Sequence, residues 1–233
     1  MHVHVQLHQK VALVTGSTDG FGEDICLALG RAGAHVFAHT FDDQVKAEAI
    51  CDAVRKEGGK ASVIVSPLTM PNDANVMVKQ VIDTCGALHI LVNQAEKASD
   101  ASLEELSDLT WIDAVEATVN SAFLSCQAAA RHMLEQKEGC VINVSSSASV
   151  TGDGGIAYAT SKSMLNAMTK GLSRELKGQG IRVLGLAPPP LHLQNNNKQI
   201  LGSVAHMTVF LSSAYGAFTD GETIMLDGGE SAG

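Results

Sequence analysis

Val11-Ala-Leu-Val-Thr15-Gly16-Ser-Thr-Asp-Gly20-Phe-Gly22 is the stretch whose reading decides the fold. Four apolar residues run into Thr15, which reads as a buried strand. An apolar-periodic segment carrying Phe21, Ile25 and Leu29 follows and reads as a helix. Between them lies a glycine turn. Gly16 permits the tight turn, Gly20 lets the backbone come close to a pyrophosphate, and Gly22 lets helix and strand pack closely. The first turn of the helix would then offer free N–H groups and a positive dipole end to phosphate oxygens.

The same alternation of strand and helix signals continues along the chain. Strands are expected at 11–15, 34–39, 61–65, 88–92, 140–145, 181–186 and 223–226. Helices are expected at 21–32, 43–57, 73–85, 101–134 (a short one, then a long one), 157–177 and 203–212. Such alternation implies a parallel sheet covered on both faces, an α/β doubly wound sheet of Rossmann type. Gly58-Gly59, Gly139 and Gly178-Gln-Gly180 stand where helices should stop. No internal repeat or interdomain linker interrupts the pattern, so residues 1–233 read as a single domain. Pro188-Pro-Pro190 and Asn195-Asn-Asn197 mark one irregular segment near the carboxyl edge of the strands.

Composition narrows the function classes. Hydrophobic residues make up 45% of the chain, which argues against disorder. A net charge of −9 without a basic run gives no footprint for nucleic acid. No apolar run reaches membrane-spanning length, and the N-terminus lacks the apolar core of a signal peptide. Cys26, Cys51, Cys85, Cys126 and Cys140 are scattered without paired spacing and read as buried thiols of a reducing compartment. A cytoplasmic protein is expected. His2, His4 and His8 lack acidic or cysteine partners nearby, so no metal site is expected. Met164 and Met168, at helical spacing, read as core, and Trp111 as helix packing, with a substrate or subunit surface as its other reading.

The second informative stretch is Tyr158-Ala-Thr-Ser-Lys162. Residues at i and i+4 share a helix face, so the phenol and the ammonium can reach one spot. A neighbouring cation favours the phenolate and should lower the tyrosine pKa from its ordinary value near ~10. A phenol so tuned can give or take a proton at an alcohol or carbonyl oxygen.

Taken together, these motifs resemble the classical short-chain dehydrogenase/reductase family over nearly the whole chain. The Thr-Gly-x-x-x-Gly-x-Gly motif of that family matches Thr15, Gly16, Gly20 and Gly22. Its catalytic serine falls on Ser146 within Ile142-Asn-Val-Ser-Ser146, with Ser145 the neighbouring candidate. Its tyrosine and lysine fall on Tyr158 and Lys162, its asparagine on Asn120, and Leu226-Asp-Gly-Gly229 matches a C-terminal motif. The resemblance implies hydride transfer between a nicotinamide and a substrate carbon, with Tyr158 handling the proton on the substrate oxygen. It implies that Lys162 lowers the tyrosine pKa and holds the nicotinamide ribose, that Ser146 holds the substrate oxygen, and that Asn120 anchors a relay water. Contacts to the cofactor would come from Thr15, Gly16, Thr18, Asp19, Gly20, Phe21, Gly22, Thr40, Asn93 and Ala95, besides Tyr158 and Lys162.

Several positions depart from the family pattern. Asn-Asn-Ala-Gly after the fourth strand is here Asn93-Gln-Ala-Glu96, which puts bulk and a carboxylate beside a ligand that already carries phosphates. The acidic residue after the third strand is replaced by Ser66, followed by Pro67, and a Pro-Gly is replaced by Pro188-Pro189. The substrate-covering segment is reduced to roughly 191–202, which implies a more open site. At the end of the second strand the acidic position falls on Thr40, with Asp42 and Asp43 slightly later. These carboxylates and Asp19 would repel a 2′-phosphate, so NAD is favoured, with NADP the other candidate.

The function expected is an NAD(P)-dependent oxidoreductase acting on a secondary alcohol or ketone, with a 3-oxoacyl thioester as one substrate class. The alternative is a non-catalytic or weakly active homologous subunit with a degraded cofactor site. A homo-oligomer (dimer or tetramer) is expected, or a hetero-oligomer with a related subunit.

Overall fold

The computed structural model describes residues 5–190 and 198–232. Seven strands are laid down in chain order: β1 (Val11–Thr15), β2 (His35–Thr40), β3 (Lys60–Val65), β4 (Ile90–Asn93), β5 (Gly139–Val144), β6 (Ile181–Ala187) and β7 (Thr223–Met225). They form one sheet in the order β3-β2-β1-β4-β5-β6-β7, and every neighbouring pair is parallel. The connecting helices are α1 (Gly22–Arg31), α2 (Gln44–Lys56), α3 (Pro71–Cys85), α4 (Asp108–Val115), α5 (Ser121–Gln136), α6 (Ala148–Thr151), α7 (Ile156–Leu176) and α8 (Lys198–Ser212). This is the expected Rossmann-type doubly wound sheet.

Alternation within the strands builds two cores. Ala12 and Val14 of β1 face the layer of α1, α2 and α8, where Ile25, Leu29, Ile50, Val54 and Val204 are buried. Val11 and Leu13 face the opposite layer with Met77, Val81, Leu124, Met133 and Leu176. Every residue of β1, β4 and β5 is buried, as strands covered on both faces must be.

Local chemistry sets the helix ends. The Asp43 side chain accepts from Lys46 N at 2.9 Å and caps α2. Pro71 opens α3, while Asp73 accepts from the amides of Thr69 and Met70 at 3.0 and 2.9 Å. Strand and helix limits fall within a few residues of expectation, with three differences. Residues 101–107 precede α4 as turn, and a π-helical turn, Glu116–Asn120, joins α4 to α5. Gly139 was expected to stop a helix, but Lys137 takes the left-handed position (φ 56°) and Gly139 opens β5. Of the short segment expected to cover the site, residues 198–202 are already the first turn of α8, and 191–197 lie outside the described residues.

Met164 was expected in the core but is exposed, and Met168 is half-buried. Trp111 is also exposed. His8 is exposed, and His2 and His4 lie outside the described residues. Among the described residues no three metal-ligating side chains cluster, and no helix is long and apolar enough to cross a membrane.

The strand order reverses between β1 and β4, so the loops leaving these two strands diverge to opposite faces. That opens a crevice at the carboxyl edge of the sheet, the place where such sheets bind ligands.

Candidate active site in the crevice

The glycine turn forms one wall of the crevice. Gly16 (φ 61°) and Gly20 (φ 53°) use left-handed backbone, and a Cβ on Gly16 would stand 2.5 Å from Ala95 Cα. A Cβ on Gly22 would stand 2.5 Å from Ser17 Cα, so this glycine lets the start of α1 lie close on the turn that follows β1. Thr15 fixes the opposite wall by accepting from Gln94 N at 3.3 Å. The Thr18 and Thr40 hydroxyls bond each other at 3.2 Å, and Thr40 also accepts from Asp43 N at 3.1 Å.

His39 supports the turn, a role that the sequence reading did not assign. Its ring is fully buried, accepts from Gly16 N through Nδ1 at 3.3 Å and donates from Nε2 to the Ser66 carbonyl at 3.0 Å. Its backbone carbonyl accepts from both Ser17 N and Ser17 Oγ, at 2.8 and 3.0 Å. Burial pushes the His39 pKa down to about 4, so the ring is neutral at pH 7, as accepting from Gly16 N requires. The signal in the sequence was a histidine inside an apolar strand, beside the turn.

The catalytic candidates stand on the other side. β5 ends at Val144, and Ser146 follows with its Oγ donating to the Pro188 carbonyl at 3.1 Å and accepting from Ala148 N at 3.2 Å. Gly155 (φ 89°) caps α7, which places Tyr158 on the first turn and Lys162 on the second. Both are buried, at 2% and 0% exposure. The Lys162 ammonium donates to the Val144 carbonyl at 2.8 Å and lies 5.5 Å from the centroid of the Tyr158 ring. Ser146, Tyr158 and Lys162 thus converge at the carboxyl end of β5.

A fourth group occupies the same place. Glu96 turns inward, with Oε2 2.5 Å from Lys162 Nζ and 3.4 Å from the Tyr158 hydroxyl, which donates to it over a long bond. The consequence contradicts the expected tuning. Tyr158 has its pKa raised well above 10.0, by burial first, then by the Glu96 charge, with the Ser146 hydrogen bond opposing and the bond to Glu96 adding. Lys162 does sit beside the phenol, but its charge is answered by the carboxylate, so its pull on the phenolate is cancelled.

Other candidates are placed differently. Asn120 closes the π-helical turn with an exposed side chain. Thr118, on the same turn, is buried, and its hydroxyl has no partner among the described residues. The spacing of Val119-Asn-Ser-Ala-Phe could not reveal this, because a π-helical turn changes which residues face inward. Asn93 ties strands together, donating to Asn143 Oδ1 at 2.8 Å and to Cys126 Sγ at 3.2 Å. The Phe21 ring is in the core, Asp19 and Asp42 are exposed, and Asp43 caps α2. A cavity of about 210 Å³ lies beyond β2 and β3, walled by Phe41, Pro67, Leu68 and Thr69.

The fit of a dinucleotide to this crevice is divided. At the glycine turn the cradle is present, closed by backbone that only glycine allows. At the Lys162 end it does not fit, because the Glu96 carboxylate already holds the ammonium that a ribose would need. Between them, Gln94 is buried with neither Nε2 nor Oε1 partnered among the described residues, and its Nε2 is 2.7 Å from where a Gly20 Cβ would stand.

Known proteins share this architecture. The family model for short chain dehydrogenases matches residues 10–201. A 3-oxoacyl-[acyl-carrier-protein] reductase, FabG, of Staphylococcus aureus is 29% identical over 94% of this chain and 97% of its own. The (2S)-[(R)-hydroxy(phenyl)methyl]succinyl-CoA dehydrogenase subunit BbsD of Thauera aromatica is 30% identical over 97% of this chain and 98% of its own. The Pseudomonas aeruginosa RhlG/NADP active-site complex superposes with a TM-score of 0.88 at 26% identity, covering 99% of this chain and 100% of that one. With the family model covering most of the chain and the doubly wound sheet in place, this chain belongs to the short chain dehydrogenase family of oxidoreductases.

Proposed function

We propose that this chain is a dehydrogenase/reductase of a secondary alcohol–ketone pair carried as an acyl thioester, with a nicotinamide dinucleotide as redox partner. The observation that carries this reading is the convergence of Ser146, Tyr158 and Lys162 beside a glycine turn. The thioester class is supported by the names of two relatives, a 3-oxoacyl-carrier reductase and a coenzyme A thioester dehydrogenase subunit. NAD is favoured on the side chains, since Thr40, Asp42 and Asp43 offer a 2′-phosphate no cation. The NADP complex of a structural relative keeps NADP as the other candidate.

The residues divide the work at the substrate oxygen. Ser146 and Tyr158 present hydroxyls to it. Tyr158 is a phenol at neutral pH and would donate to a carbonyl oxygen, but its raised pKa makes it a weak proton donor while Glu96 stays in place. Acting as a base on an alcohol would first require Glu96 to leave, so that Lys162 could stabilise the phenolate. The nicotinamide would supply the hydride. As it stands, the Lys162 end of the crevice does not accept its ribose, because Glu96 holds the ammonium.

One observation favours a second reading. The Glu96–Lys162 pair fills the place of the cofactor, as in a subunit that contributes scaffold while a related subunit works. The relative BbsD is itself named as a subunit.

Turnover of a 3-oxoacyl-coenzyme A with NADH and NADPH tests the choice. Wild-type turnover that Tyr158→Phe reduces by about 10²-fold or more is expected on the first reading. No turnover by the isolated chain, together with co-purification of an active relative, would instead establish the second.

A further inference from the structure

Glu96 follows β4 at the mouth of the crevice, and its single side chain reaches both walls. Oε2 holds the Lys162 ammonium at 2.5 Å and accepts from the Tyr158 hydroxyl at 3.4 Å. Oε1 lies 3.7 Å from the point where a Cβ on Gly20 would stand, over the glycine turn. Gln94, two residues earlier, presses on that same turn with an amide whose polar atoms find no partner among the described residues. Lys162 is wholly buried and Glu96 only 13% exposed, so this is not one of the solvated surface pairs that contribute little.

We propose that Glu96 is a resident ligand of the catalytic centre: a carboxylate of the chain itself that takes the Lys162 ammonium and the Tyr158 hydroxyl and excludes the dinucleotide until it is displaced. The inference rests on the dehydrogenase reading and deepens it by naming the residue that sets cofactor affinity. Two effects act together. The carboxylate fills the space beside Lys162, and its charge repels a ligand that carries two phosphates. Gln94 narrows the phosphate end of the same groove. The glycine that family members carry at this position would remove both effects.

Calorimetric titration of NAD⁺, NADH, NADP⁺ and NADPH into wild type, Glu96→Gln and Glu96→Gly is the test. Wild type is expected to bind all four no tighter than about millimolar, and Glu96→Gly at least about tenfold tighter for one of them. Glu96→Gln should fall between, because the amide keeps the volume but loses the charge. Micromolar binding by wild type that neither substitution improves would overturn the proposal. Should Glu96→Gly fail to fold, the comparison rests on Glu96→Gln and on an optical readout that needs no cofactor. The chain has 2 tyrosines, and Tyr215 is 57% exposed, so the late phenolate transition in ultraviolet absorbance belongs to Tyr158. That transition should move to lower pH in Glu96→Gln. An unmoved transition would count against the contact. A Glu96→Gly variant that binds cofactor tightly but turns over no 3-oxoacyl thioester would sink the dehydrogenase reading and leave the resident ligand standing. A wild type that binds tightly and turns over would do the reverse.

Discussion

At the scale of single residues, the site is governed by which charges are left unanswered. Tyr158 and Lys162 are the pair that the i, i+4 spacing leads one to expect, yet the phenol is made harder to ionise because Glu96 answers the ammonium. His39 illustrates the opposite case, a buried ring kept neutral because nothing nearby would pay for its charge. Its folded pKa of about 4 lies below the ordinary 6.5, so between these values the unfolded chain binds the proton and the folded one does not. Stability contributed by the neutral ring is therefore full above pH 6.5 and lost as pH falls toward 4, by about 3 kcal/mol in all. Urea melts from pH 7 down to 5, above most carboxylate titrations, check this against His39→Asn. The variant should show a shallower decline, and equal slopes would remove His39 from the account.

Elements position the site through a few backbone constraints. Gly155 sets the entry of α7, and with it both Tyr158 and Lys162. A Cβ there would stand 2.3 Å from the Ser99 carbonyl oxygen, at a φ of 89° that side chains rarely adopt. Gly155→Ala should therefore destabilise the fold by roughly 2–4 kcal/mol, combining left-handed strain with overpacking. It should lower activity further than that loss explains, because α7 must shift. A thermal melt alongside kcat would show both, and an unchanged Tm would refute the constraint. Inside the sheet, Asn93 and Asn143 join β4 to β5, and Asn143 donates to Thr169 of α7 at 2.9 Å. Asn143→Leu should cost about 1–3 kcal/mol, since it leaves the buried Asn93 amide and Thr169 hydroxyl short of partners. Denaturant unfolding would measure it, and a change below ~0.5 kcal/mol would show that the network relaxes around the substitution.

At the scale of the whole molecule, several large apolar side chains are left outside the two cores. Trp111 and Ile112 on α4, Phe123 on α5, and Ile156 and Met164 on α7 are all exposed. Phe210, Tyr215 and Phe218, nearer the C-terminus, are exposed as well. Burying such residues against a symmetric copy is the ordinary route to a dimer or tetramer. Sedimentation velocity at micromolar concentration should show an oligomer that Phe123→Asp with Met164→Glu dissociates. A stable wild-type monomer would defeat the expectation for the isolated chain.

The sequence by itself determined the architecture. The glycine turn between a buried strand and an amphipathic helix, followed by repeated strand–helix alternation, admits few folds other than a doubly wound parallel sheet. Those signals are local, because periodicity and turn chemistry act over a few residues. Tyr158 and Lys162 share a helix face by their spacing alone, whereas Ser146 was singled out only through the family resemblance. The tertiary structure alone decided the rest. Whether Glu96 points outward or onto Lys162 depends on a loop from β4 meeting a helix more than sixty residues later. Whether Thr118 or Asn120 faces inward depends on a π-helical turn that no spacing rule encodes. The role of His39 depends on three strands meeting at their carboxyl ends. In each case the deciding interaction is long-range and electrostatic or steric, and it exists only once the sheet has brought distant segments together.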